Sequence, residues 1–282
     1  MSSPEVHHHE EPEEVESTVL PVPLTDGMVA EQIATAKRYP RSVSRFRKEA
    51  QDLACLDQET AGECLFAVRR SGKLIEGPSV RMAEILLHAW GNARADAEVV
   101  EEGATHVTAQ GTFFDLERNM AVRKKVKRRI TDKHGRRYND DMIGVTGNAA
   151  ISIALRNAVF AGIPKAVWKP VYQQARKASL GEAGTLTQAR QKMLDYFGKM
   201  GVKDGQVYAL LGIDGVEDIK EDELVTLRGL ANAIKDGEAS VEETFNPRET
   251  DVQSTPDLNA RIRQQQEEDA AIRAEDQKLA QT

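Results

Sequence analysis

The sequence predicts an α+β protein: helices leading into a three-stranded antiparallel meander and a long helix, followed by a small all-helical C-terminal module. Three observations predict it. Residues 95 to 132 read as three strand runs broken at Glu102-Gly103 and Glu117-Arg-Asn119, the last of them alternating strictly at period two. Residues 146 to 161 are Ala-rich and place Ile151, Ala154, Leu155, Ala158 and Val159 on one helical face. Beyond Leu186 the apolar spacing is helical, and Gly201, Gly212 and Gly237 fall where helices should end.

In chain order, Met28 to Arg38 and Arg41 to Leu56 read as two helices interrupted at Pro40. The second brings Arg41, Arg45, Arg47 and Lys48 into its first turns, where they oppose the helix dipole, so they read either as a binding face or as a solvated one. A short helix, Gln58 to Cys64, leads to a hairpin of Leu65 to Val68 and Lys73 to Glu76 that turns at Arg70-Ser-Gly72. Pro78 to Trp90 is helical, with Pro near its start and Gly91 just past its end. The meander follows as Ala95 to Glu101, His106 to Leu116 and Met120 to Asp132. Thr146 to Ala161 forms the long helix, closed by Gly162 and Pro164, with Ser152, Arg156 and Asn157 turned away from its apolar face. A polar linker, Ala178 to Thr185, then separates a helical module of Leu186 to Met200, Gln206 to Leu211, Glu221 to Lys235 and a turn at Val241 to Phe245. Its stripe of Val207, Leu210, Leu211, Ile219, Leu224, Leu227, Leu230 and Ile234 is most simply a small core.

The 282 residues therefore divide into an acidic tail (1–26), a core (27–180), the helical module (186–245) and a second acidic tail (246–282). Both tails are too polar to bury a core and are expected to be disordered. His7-His8-His9 reads as tail composition, with no second cluster to complete a metal site, and no cofactor is expected. No apolar run approaches the roughly 18 residues of a membrane span, and the N-terminus has no signal pattern. The expected location is the cytoplasm. Cys55 and Cys64 sit in apolar helical contexts that suit reduced core thiols.

Charge is segregated along the chain. Residues 1 to 27 carry a net −7, residues 28 to 180 a net +9 and residues 181 to 282 a net −9, so the overall −7 conceals a basic middle between acidic arms. Within that middle, Met120-Ala-Val-Arg-Lys-Lys-Val-Lys-Arg-Arg-Ile130 puts Arg123, Lys125, Lys127 and Arg129 on one strand face and Val122, Val126 and Ile130 on the other. Same-face side chains repeat about every 6.6 Å, comparable to the phosphates of an extended single strand. Arg136 and Arg137 add charge in the following loop. The competing reading is an edge strand whose charges resist aggregation. Phe113 and Phe114 face opposite sides of their strand, so one is core, and Phe114 or Tyr138 is the candidate for stacking on a base, against a packing role for each.

The run Lys73-Leu-Ile-Glu-Gly-Pro-Ser-Val80, then Ala83 and Gly91, the meander, and Gly147-Asn-Ala-Ala-Ile-Ser-Ile-Ala-Leu-Arg-Asn-Ala-Val-Phe160 together resemble the core of the Rad-fifty-two superfamily of single-strand annealing proteins, which includes the phage Erf, Sak and RecT/Red-beta kinds. The resemblance covers residues 65 to 165. It implies a β-β-β-α annealing core that self-associates into rings or filaments and holds single-stranded DNA in a positive groove, with the meander as one wall and the long helix as the other. Carried over by position, Arg156 and Asn157 stand where the family has a basic pair, with Asn157 replacing the second base, and Arg123, Lys125 and Lys127 line the groove. It also implies that 186–245 docks a phage exonuclease or the host single-strand binding protein, and that the chain anneals strands in phage-type recombination.

Enzyme chemistry is not expected. Asp115, Glu117, Asp140 and Asp141 could collect around Mg²⁺ as in nucleases, but they fall at turns, where Asp needs no metal to explain it. The sequence contains no phosphate loop, no Gly-x-Ser-x-Gly elbow and no Cys-x-x-Cys. The alternative class is a protein that only coats single strands, or a scaffold whose basic strand pairs with acidic partners.

Overall fold

The computed structural model of the chain describes residues 26–70, 72–132, 134–181 and 186–246. The expected disordered tails and the His7 to His9 run lie outside the described residues. The chain is α+β, with ten helices and five strands among the described residues: α1 (Asp26–Arg38), α2 (Val43–Ala54), α3 (Gln58–Glu63), β1 (Leu65–Arg70), β2 (Lys73–Pro78), α4 (Val80–Trp90), β3 (Ala93–Glu102), β4 (His106–Asp115), β5 (Met120–Arg129), α5 (Asp140–Gly162), α6 (Lys165–Leu180), α7 (Leu186–Gly198), α8 (Asp204–Leu211), α9 (Glu221–Lys235) and α10 (Val241–Phe245). β1 and β2 form a two-stranded sheet, and β3, β4 and β5 an antiparallel meander in that order.

Local chemistry fixes the element starts. Side-chain oxygens of Ser42, Asp57, Ser79 and Asn139 cap α2, α3, α4 and α5 by accepting backbone N–H bonds. The Asn139 cap, with Asp140 and Asp141 complementing the helix dipole behind it, starts α5 six residues before the apolar periodicity does.

α5 lies across the meander on the face carrying Val107, Ala109, Gly111 and Phe113. Two glycines permit this approach. A Cβ on Gly111 would stand 2.2 Å from the Ala154 carbonyl oxygen, and one on Gly162 would stand 2.1 Å from Phe113 Cδ1. By length and composition α5 could cross a membrane, a correction to the sequence reading, yet more than half of that apolar stretch is buried inside the fold as its core helix. α2, α4 and α6 close the core at one end around Phe46, Trp90, Trp168 and Val171. α6 is absent from the sequence reading, which stopped at Pro164. Pro170 inside it forfeits a backbone hydrogen bond, while Trp168, Val171 and Ala175, at helical spacing, are buried.

The helical module is not separate from the core. α9 packs on β1 so closely that a Cβ on Gly229 would lie 2.6 Å from the Ala67 nitrogen. Ala67 belongs to the same apolar cluster as Leu194, Phe197, Leu224, Leu227 and Leu230. Asn232 donates to the Gly62 and Leu65 carbonyls at 2.9 and 2.7 Å, and Arg176 bridges Glu76 and Asp222. The physical reason is that a two-stranded hairpin is at best marginally stable alone, and α9 supplies the cover it needs.

Candidate nucleic-acid interface

The meander's outer face, opposite α5, is organised in three rows by the strand register. Arg123 pairs across to Thr112 and then Asp96; Lys125 to Gln110 and Glu98; Lys127 to Thr108 and Glu101; Arg129 to His106. The four bases are exposed, and among the described residues none of them forms an ion pair. Adjacent strands lie about 4.8 Å apart, so the basic row on β5 and the acidic row on β3 run parallel roughly 10 Å apart, with a polar row between them. The acidic row depends on a bulge between Val99 and Glu101. Strict alternation would turn Val100 outward; the bulge turns Glu101 outward instead, where its carboxylate accepts a 3.3 Å bond from the Thr108 hydroxyl. Arg94, the lone base of β3, hydrogen-bonds Gln32 of α1.

Of the eight residues expected at the interface, Arg123, Lys125, Lys127 and Arg129 lie together on this face. Arg136 is exposed in the loop after β5 and pairs with Asp132 at 2.8 Å. Arg137 pairs with Glu102 and donates to the Gly103 carbonyl at 2.6 Å, stapling its loop to the β3–β4 turn. Arg156 and Asn157 stand on α5, on the opposite side of the sheet from the ladder. The expected groove between meander and helix is corrected here, because Gly111 lets the α5 backbone rest directly on β4 and leaves no gap between them.

Arg156 is turned to another use. Its guanidinium lies 4.1 Å from the Phe66 ring centroid and donates to Glu238 at 2.7 Å, with both side chains largely buried. Burial pushes the Glu238 carboxyl up, and Arg156 opposes that. Arg128, on the inner face of β5, donates to the Gly237 and Glu238 carbonyls. Two arginines of the core thus hold the α9–α10 turn. Asn157 is exposed.

Arg41, read as a binding or a solvated base, has its side chain largely buried. It donates to Asp115 at 2.7 Å, stacks 4.2 Å from the Trp90 ring centroid and reaches the Trp90, Gly91 and Asn92 carbonyls. Burial pushes the Asp115 carboxyl up, but Arg41, the Arg118 amide and the Trp90 indole outweigh it and hold the group below the usual range. Glu117 joins the network through Asn92. Asp140 and Asp141 sit in the first turn of α5, and among the described residues no three metal-binding side chains converge. Both cysteines are free; burial, with Cys55 and Glu63 adding, pushes the Cys64 thiol up to about 12. Phe113 is fully buried, Phe114 is on the outer face and Tyr138 packs against the core beneath β4.

No family model matches the chain, and neither does any curated protein or solved structure. Sequence reading missed the acidic row and the polar row beside the ladder. The signal was present in the alternation of β3 and β4, but placing the rows side by side requires the pairing register.

Proposed function

We propose that the chain binds single-stranded DNA along the outer face of the meander, without ATP, and promotes the pairing of complementary strands as phage-type annealing proteins do. The observation that carries this reading is the ladder of Arg123, Lys125, Lys127 and Arg129: four exposed bases at period-two spacing, with no ion-pair partner among the described residues. Such a row neutralises successive phosphates while leaving the bases free, and annealing asks for little more. Self-association into a ring or filament, cytoplasmic location, and docking of an exonuclease or single-strand binding protein through the 186–245 helices belong to the same proposal.

The two parallel rows favour a second reading, in which β5 pairs with acidic groups of a protein surface whose basic groups face β3, and the chain is a scaffold or a plain coat. The test mixes the protein, without nucleotide or metal, with two complementary fluorescent oligonucleotides and follows pairing. Acceleration that disappears when Arg123, Lys125 and Lys127 are changed to Ala is expected. Tight single-strand binding without acceleration would leave a coating protein, and absence of binding would favour the scaffold.

A further inference from the structure

We infer that the outer face is polarised across its width, so that it accepts one nucleic-acid strand and excludes a duplex, with Asp96, Glu98 and Glu101 as the excluding residues. The inference rests on the reading of the ladder as the phosphate site. With phosphates on β5, the sugars of a single strand lie over the polar row of Thr108, Gln110 and Thr112, whose hydroxyl and amide groups can bond to sugar oxygens of any sequence and leave the pairing edges of the bases free. The acidic row lies one strand further, at roughly 10 Å from the ladder. The grooves of B-DNA set its two backbones about 6 and 12 Å apart, which straddles that distance. A duplex laid along the ladder therefore brings its second backbone over three carboxylates. A single strand has no second backbone to repel.

The arrangement is in register residue by residue, Asp96 level with Arg123, Glu98 with Lys125 and Glu101 with Lys127. Edge protection alone would need neither this register nor the bulge that turns Glu101 outward. Excluding duplex suits an annealing protein, whose product must leave the site that held its reactants.

The experiment compares wild type with the triple variant Asp96→Asn, Glu98→Gln, Glu101→Gln, which keeps side-chain shape and removes three charges. Fluorescence anisotropy measures affinity for a labelled 20-mer and for a hairpin duplex of the same sequence at low and moderate salt. Like charges near contact in water each change binding severalfold, so duplex affinity should rise about tenfold or more and single-strand affinity by about threefold or less. Equal gains on both probes, or no gain on either, would overturn the inference. So would an unchanged ratio accompanied by altered sedimentation, which would make β3 an assembly surface. Changing Arg123, Lys125 and Lys127 to Ala separates the two failures: single-strand binding that ignores the ladder defeats the underlying reading, whereas ladder-dependent binding with an unaltered ratio defeats only the exclusion.

Discussion

The two faces of the meander are made by the same three strands, yet they are governed by different physics. On the inner face Val107, Ala109, Gly111 and Phe113 meet α5 with no space to spare, and two of the charged groups there, Asp115 and Arg128, are bound by specific partners, while Lys124 is exposed. On the outer face Thr108, Gln110 and Thr112 separate a basic row from an acidic one, and the ladder makes no ion pair among the described residues. Neighbouring arginines of β5 illustrate the difference. Arg128 spends its donors on the α9–α10 turn, while Arg129, one residue on, is exposed. The lesson is that a single-residue step along a strand separates a stability determinant from a binding determinant.

Mutations can break that comparison. The largest effect is expected for Asp115→Ala, which strands the buried Arg41 guanidinium and should cost about 3–5 kcal/mol in urea unfolding. Arg156→Ala comes next, at about 3 kcal/mol, because it leaves Glu238 buried without its partner. It should leave the salt dependence of DNA binding unaltered, and a changed slope would return Arg156 to the interface. Gly111→Ala should cost about 2 kcal/mol by forcing α5 off β4, whereas Thr112→Ala, one residue along on the outer face, should stay within about 0.5 kcal/mol.

Acid titration sharpens the inner face further. The folded pKa of Asp115 is depressed, so its contribution is present above its unfolded value near 3.9 and is lost as pH falls through the folded one. The stability gap between wild type and Asp115→Asn should therefore shrink below about pH 4. Glu238 has the opposite sign: its folded pKa is raised, and its contribution is present below its unfolded value and is lost as pH rises through the folded one. A comparably small effect per site, within about 0.5 kcal/mol, is expected for the combined change of Arg123, Lys125 and Lys127 to Ala. It should nevertheless reduce the slope of log K against log salt by about 2 on single strands, at about 0.7 per phosphate contact. A large loss of stability here would make the ladder structural and dissolve the contrast between the faces.

The sequence by itself determined which segments are helix and strand wherever the apolar period was unbroken, and it placed Arg123, Lys125, Lys127 and Arg129 on one face, because side-chain alternation is a property of the strand alone. It missed α6, where Pro164 and Pro170 hide a helix that buried Trp168 and Val171 maintain. It began α5 late because a cap and two Asp look like a turn until the helix behind them is packed. Only tertiary structure decided the fates of Arg41 and Arg156, which read as exposed helix-surface bases and became buried pairs with Asp115 and Glu238, partners 74 and 82 residues away. It likewise decided that α9 completes the β1–β2 hairpin, and that an acidic row runs level with the basic one. Period and capping act within a few residues, whereas ion-pair partners and strand register depend on segments that only the closed chain brings together.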